Sequence, residues 1–208
     1  FLHETIESIL NQTYKNFEII IVDNFSNYDF LSYMNSFKDD RIKPFQNKNN
    51  GVIVVNRNYG LTKAQGEYIA VCDDDDLWIP QKLEKQVNYL NYNHDIAALG
   101  CQYSCINENG NPLNEMHWPV GFKNNIFSLI TGFSPVGHPG VLIRKKVLNK
   151  VGNYDSRYPP AEDYELWLRL VVNGYKLDNL DEFLIKYRIH QSQTSTLQRK
   201  LLRKNHIL

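Results

Sequence analysis

Four consecutive aspartates at positions 73–76 are the residues of this sequence best suited to chemistry. They follow the apolar segment 68–72 directly, where a buried strand is predicted to end. Adjacent carboxylates repel one another unless a cation lies among them, and their oxygens suit Mg²⁺ or Mn²⁺. The alternative is a solvated acidic turn that stabilises the start of a helix near Pro80. The position at a strand end favours the metal site.

A further acid, Asp23, follows another short run of mostly branched apolar residues at 17–22. Such a run is typical of a strand covered on both faces, as in a parallel sheet. Ligands of open α/β sheets bind beyond the carboxyl ends of the strands. Asp23 and the acidic run therefore predict one site at that edge of the sheet.

The elements that would position these acids alternate between strands and helices. Strands are predicted at 17–22, 41–45, 68–72, 96–101, 141–143 and 183–189. Helices are predicted around 2–10, at 29–38 and 54–65, from Pro80 onward, near 126–130 and from Asp163 to Gly174. This order predicts an α/β fold with a doubly wound, mostly parallel sheet flanked by helices.

The bulk composition excludes several classes of protein. The 23 basic and 23 acidic residues give a net charge of +0, which argues against a nucleic-acid-binding protein. The sequence shows neither an apolar run long enough to span a membrane nor a signal-peptide pattern. Cys72, Cys101 and Cys105 are unpaired in spacing, so we expect reduced thiols and a cytoplasmic location. Zinc binding by Cys101, Cys105 and His117 is the alternative, but paired ligand spacing is absent.

The sequence also contains four motifs in order. They are SILNQTYKNFEIIIVD at 8–23, NYG and AQGEYI at 58–69, the acidic run followed by LWIP at 77–80, and EDYELWLR at 162–169, with YRIH at 187–190 beyond it. In this order they resemble glycosyltransferase family 2, which has the GT-A fold. The resemblance covers residues 4–102 closely and 138–195 more loosely.

The resemblance implies a single domain with two halves. Residues 1–102 would form a Rossmann-like nucleotide-sugar-binding half and residues 103–195 an acceptor and catalytic half, before a basic amphipathic tail at 196–208. Because the chain opens in a helix at Phe1, we expect that the first strand of the fold is missing. The implied activity is transfer of a sugar from a nucleoside diphosphate sugar, a UDP-sugar in our prediction, to an acceptor hydroxyl with inversion. A richness in Asn, Lys, Ile and Tyr suggests an AT-rich bacterial genome, and by analogy with similar bacterial enzymes the resemblance then implies a role in surface polysaccharide synthesis.

For the donor nucleotide, the resemblance assigns Asp23 to contact with the base. Asn24 stands where the family often has a second aspartate, and its amide can hydrogen-bond a uracil edge. Arg57 is expected to contact the base or a phosphate, because a guanidinium suits a diphosphate site. A surface salt bridge is the alternative for Arg57.

For the metal, the resemblance places an Asp-x-Asp equivalent within the acidic run. We predict that Asp76 binds Mn²⁺ or Mg²⁺ directly, and that Asp74 and Asp75 contact ribose, sugar or metal-bound water. Asp73 is assigned to structure, as an acceptor in the turn. His190 would complete the metal shell or touch the diphosphate, and an ordinary surface histidine is the alternative.

For the reaction, Asp163 matches the family's general base. A carboxylate with an ordinary pKa near 4 is a weak base, so it needs a desolvated setting. Glu162 is the second candidate, and the alternative for both is that acids are favoured in the first turn of a helix. His138 is predicted to line the pocket of the acceptor, a saccharide or a lipid-linked saccharide.

The tail at 197–208 contains four basic residues among leucines, namely Arg199, Lys200, Arg203 and Lys204. This pattern predicts peripheral contact with the inner face of the cytoplasmic membrane, and a helix packed on the domain is the alternative.

Two other classes of function stay open. The expected loss of the first strand would suit a truncated or inactive nucleotide-sugar-binding module. A metal-dependent phosphoryl-transfer domain also gathers acids at strand ends, but this sequence lacks a P-loop and an Asp-x-Asp-x-Thr pattern.

Overall fold

The computed structural model describes residues 1–193, so the predicted basic tail lies outside the described residues. The helices are α1 (Leu2–Leu10), α2 (Phe30–Asn35), α3 (Ile53–Lys63), α4 (Lys82–Tyr92), α5 (Phe122–Ile130), α6 (Lys145–Val151) and α7 (Glu162–Val172). The strands are β1 (Ile19–Asp23), β2 (Ile42–Gln46), β3 (Tyr68–Ala70), β4 (Leu77–Trp78), β5 (Ile96–Asn107), β6 (Pro112–Met116), β7 (Leu142–Arg144) and β8 (Lys176–Ile189).

The strands form two sheets. β1 and β2 pair with each other, and the remaining six follow the order β3-β7-β5-β8-β4, with β6 paired to β5. The β1–β2 and β5–β8 pairs are parallel, while β3–β7, β5–β7, β5–β6 and β4–β8 are antiparallel. The α/β class is confirmed, but the sheet is mixed where a mostly parallel one was predicted. A strand covered on both faces has the same apolar run in either direction, so the sequence pattern does not encode this difference.

The region from 104 to 137 is more regular than its composition suggested. β5 continues to Asn107 and turns back as β6, in a stretch where neither a strand nor a helix was predicted. The side-chain Oδ1 of Asn107 accepts hydrogen bonds from the backbone N–H groups of Asn109 and Asn111, at 3.0 and 2.9 Å. These bonds fix the shape of the turn. Exposed residues fill most of β6, so no alternating apolar pattern marked it.

β5 is the centre of the hydrophobic core. On one side Leu99 belongs to a cluster that includes Ile6 of α1 and Leu90 of α4. On the other side Ala98 belongs to a cluster that includes Trp167 of α7. Because helices cover both faces, β5 is almost wholly buried. This packing fixes β8 beside it, and the end of β8 contributes to the site described below.

A buried polar side chain ties α4 to the sheet. Gln86 donates from Nε2 to the carbonyls of Leu99 and Gly140, each at 2.9 Å, and its Oε1 accepts Lys82 Nζ at 2.7 Å. Both Gln86 and Lys82 are fully buried, and Lys82 Nζ lies 4.0 Å from the centroid of the Trp78 ring. Gln86 therefore satisfies groups from three separate parts of the chain.

We expect Gln86→Met to lower the free energy of unfolding by roughly 2–4 kcal/mol, because it leaves buried carbonyls and an ammonium without their partner. Thermal unfolding would measure this as a fall in Tm. The matched control is Gln81→Met, at an exposed position just before α4, which should change stability by at most about 0.5 kcal/mol. Equal stability of the two variants would contradict the role assigned to Gln86.

Candidate active site

The acidic run lies in the connection between β3 and β4. Carboxylate oxygens of Asp73, Asp75 and Asp76 lie within 4.8 Å of one another, and we call these three residues the acid cluster. Asp74 is exposed and outside the cluster, and its backbone carbonyl accepts the Thr5 hydroxyl of α1 at 3.1 Å. The predicted gathering of carboxylates is thus present with three of its four members.

Asp76 is the buried member of the acid cluster. Its Oδ1 accepts the backbone N–H of Arg188 at 2.9 Å, while its Oδ2 is buried without a hydrogen-bond partner among the described residues. Burial, with further contributions from Asp73 and Asp75, raises the pKa of Asp76 to about 8. A buried carboxylate oxygen that lacks a partner, beside two further carboxylates, fits a divalent cation. The residues present therefore suit the predicted metal.

Arg188, at the end of β8, belongs to the YRIH motif, and no role was predicted for it from the sequence. Its side chain is buried and donates to the carbonyl of Asp75 at 2.8 Å and to that of Glu108 at 3.0 Å. It also forms an ion pair with Glu4 of α1 at 2.6 Å. Arg188 thereby joins the acidic run to the β5–β6 turn and to α1. The sequence signal that could have identified it is an arginine at the end of a predicted strand, two residues before His190.

His190 lies beside the acid cluster, as its assignment requires. Its Nε2 is 2.7 Å from Asp75 Oδ2, and its Nδ1 is 2.8 Å from the Ser192 hydroxyl. Most of the His190 side chain is covered, so it differs from an ordinary surface histidine. Both predicted roles, as metal ligand or as diphosphate contact, are compatible with this position.

Arg57 of α3 lies next to Asp73 of the acid cluster. Its guanidinium lies 3.8 Å from Asp73 and pairs closely with Glu162, and 22% of its side chain is exposed. Asp73 was assigned to the turn, but the structure places its carboxylate in the acid cluster, facing Arg57. Burial raises the pKa of Asp73 to about 6. Arg57 thus links the acid cluster to the start of α7.

The two acids at the start of α7 have different surroundings. Glu162 is buried and engaged by Arg57 through Oε1. Asp163 is half-buried, and burial raises its pKa to about 6, although the backbone N–H of Tyr164 lowers it in part. A carboxylate with a raised pKa that is not held in an ion pair suits proton abstraction better than one held by a guanidinium. The geometry therefore favours Asp163 over Glu162 as the base.

His138 is linked to the acids indirectly, through Tyr154 and Arg57. It is buried, and its Nε2 is 2.9 Å from the hydroxyl of Tyr154, whose ring centroid is 5.9 Å from the Arg57 guanidinium. Burial, together with the charge of Arg57, holds the pKa of His138 well below its usual range, so the imidazole is neutral. Acceptor contact by His138 stays a prediction.

Asp23 and Asn24 shape the loop that follows β1. Asp23 accepts the backbone N–H of Ser26 and the side-chain amide of Gln46, each at 3.1 Å. Burial of the Asp23 carboxylate acts to raise its pKa, but these hydrogen bonds stabilise the ionised form more strongly. The net result is a pKa below the usual value. The Asn24 side chain accepts the backbone N–H of Asn49 at 2.9 Å. Base contact by either residue stays a prediction.

The zinc alternative lacks support within residues 1–193. The acid cluster is the one group of three or more potential ligand side chains that converges there. Cys101 and Cys105 are buried free thiols, and His117 lies 3.5 Å from Glu115 instead.

Within residues 1–193, every helix is too short or too polar to cross a bilayer.

Comparison with known proteins identifies the family of this chain. The sequence profile of glycosyl transferase family 2 matches residues 1–152. An uncharacterised glycosyltransferase of Methanocaldococcus jannaschii is 39% identical over 91% of this chain and 66% of its own length. The O-antigen biosynthesis glycosyltransferase WbnJ of Escherichia coli is 34% identical over 91% of this chain and 75% of its own.

Solved structures show the same fold. Staphylococcus aureus TarS (residues 1–349) superposes with a TM-score of 0.71 at 22% identity, over 90% of this chain and 56% of that one. Its complex with UDP gives a TM-score of 0.70 at 20% identity, over 99% and 61%. The chain thus spans little more than half of the solved structures and about two thirds of the archaeal relative. With the family profile matching most of its length, the chain belongs to glycosyltransferase family 2.

Proposed function

We propose that this chain transfers a sugar from a UDP-sugar to an acceptor hydroxyl, with inversion at the anomeric carbon. The observation that supports this most strongly is the acid cluster, whose buried member Asp76 has an Oδ2 without a partner within residues 1–193. The UDP complex of the structurally similar TarS favours a uridine donor. The O-antigen role named for WbnJ favours a saccharide or lipid-linked saccharide acceptor in surface polysaccharide synthesis.

The donor diphosphate is proposed to lie at the acid cluster. Asp76, with Asp75 and His190 beside it, would hold Mn²⁺ or Mg²⁺, which supplies Lewis-acid stabilisation of the departing diphosphate when bound. Arg57 adds a guanidinium beside Asp73 of the cluster. The N–H groups of a guanidinium can donate two parallel hydrogen bonds to the oxygens of a phosphate.

The acceptor is proposed to react at Asp163. As the acceptor oxygen forms its bond to the anomeric carbon, the bond from that carbon to the diphosphate oxygen breaks, and the hydroxyl proton moves to the Asp163 carboxylate. Glu162, the preceding residue, holds Arg57 through an ion pair. This contact would position the base relative to the donor, since Arg57 also faces Asp73 of the acid cluster.

Asp163→Asn should lower turnover at least a hundredfold, because an amide cannot accept the proton, while UDP binding stays within a few-fold of wild type. In the wild type, kcat/KM should fall about tenfold per pH unit below pH 6, as the base becomes protonated. Release of UDP from a panel of UDP-sugars, with saccharide acceptors, measures both effects.

The matched control is Glu165→Gln in the same helical turn, where the native carboxylate forms an ion pair with Arg169 at 2.7 Å. This variant should retain turnover. Undiminished turnover of Asp163→Asn would refute the base assignment. A wild type that binds UDP but transfers no sugar would support the inactive binding module instead.

Asp76→Asn should make the protein insensitive to Mn²⁺ without destabilising it. The amide keeps an oxygen for the Arg188 N–H. Because the pKa of Asp76 is raised to about 8, the side chain that it replaces is mostly protonated at neutral pH, so the metal-free Tm should stay close to that of wild type. Mn²⁺ at about 100 times its Kd should stabilise the wild type by roughly 2.7 kcal/mol. Differential scanning calorimetry with and without Mn²⁺ measures both effects.

The control for this experiment is Asp40→Asn, which alters an exposed aspartate outside the acidic run. It should keep the Mn²⁺ response of the wild type. An equal rise in Tm for wild type and Asp76→Asn would show that Mn²⁺ binds elsewhere.

A further inference from the structure

The loop after β1 presents a large aromatic ring to solvent from an unusual backbone conformation. Phe25 has φ +57° and is 61% exposed. A side chain larger than that of glycine is disfavoured in this left-handed region, and a bulky residue there is an outlier. Because the ring is mostly exposed, burial does not offset the strain. Strained residues of this kind cluster at binding sites.

The polar side chains around Phe25 are occupied in shaping the loop. The carboxylate of Asp23 accepts both the backbone N–H and the hydroxyl of Ser26. The oxygen of Asn24 is taken by the backbone N–H of Asn49. The large side chains that this loop leaves exposed are Phe25 and, at 45%, Tyr28. The loop is therefore held by its polar groups and presents aromatic surface outward.

The loop lies next to the acidic run. Asn56 of α3 donates from its side chain to the Val22 carbonyl of β1 at 3.5 Å, just before the loop, and the next residue, Arg57, lies 3.8 Å from Asp73. The acidic run is itself anchored to α1 by the Thr5–Asp74 hydrogen bond. A nucleoside diphosphate with its phosphates at the acid cluster would therefore have the loop within reach of its base.

We propose that the ring of Phe25 stacks on the nucleobase of the bound nucleoside diphosphate. This inference rests on the proposed function, since it requires a nucleotide at the acid cluster. Every base has an aromatic face, so Phe25 would contribute affinity rather than discrimination among bases. The expected contribution corresponds to a change in Kd of at least about fivefold, as for other aromatic side chains that stack on bases.

The test compares UDP with inorganic pyrophosphate, each titrated calorimetrically in the presence of Mn²⁺. Phe25→Gly should raise the Kd for UDP at least about fivefold and leave the Kd for pyrophosphate unchanged, because only UDP has a base. Its Tm should equal or exceed that of wild type, since glycine adopts positive φ without strain. Phe25→Trp should retain UDP affinity, and Phe127→Ala, which removes another exposed ring from α5, should retain both affinities.

Two results would overturn the inference alone. One is an unchanged Kd for UDP in Phe25→Gly, and the other is a parallel loss of UDP and pyrophosphate binding, which would indicate general damage to the site. A wild type that binds UDP no better than pyrophosphate would overturn the proposed nucleotide-sugar function, and this inference with it.

Discussion

The carboxylates of Asp73, Asp75 and Asp76 lie within 4.8 Å of one another, with Asp76 buried, and their mutual repulsion constrains the structure around them. Two arginines offset part of this repulsion. Arg57 faces Asp73, and Arg188 contacts the backbone of Asp75 while its own N–H binds Asp76. Burial raises the pKa of Asp73 to about 6 and that of Asp76 to about 8, and a bound cation would favour the ionised form of both side chains.

These contacts also explain why distant parts of the chain converge. Arg188 lies at the end of β8, which is held in place by its parallel pairing with the buried strand β5. Arg57 lies on α3 and reaches Glu162 at the start of α7. The donor-side acids and the proposed base are thus connected through one side chain. A change in charge at the acid cluster would therefore alter the electrostatic environment of the acids at the start of α7.

The sequence was sufficient for the α/β class, the family and the gathering of acids, because buried apolar runs and ordered motifs are local patterns. It was insufficient for strand direction, since runs such as that of β5 look alike in parallel and antiparallel sheets. It also missed Arg188 and misassigned Asp73. Their roles depend on contacts between β8, α3 and the acidic run, which no local spacing encodes.

The central claim is that the acid cluster binds a divalent cation together with the donor diphosphate. The most direct test is calorimetric titration of UDP into the protein with and without Mn²⁺, repeated on Asp76→Ala. Mn²⁺ should lower the Kd for UDP at least about tenfold in the wild type and have no effect on the variant. Equal UDP affinity of the wild type with and without Mn²⁺ would contradict it.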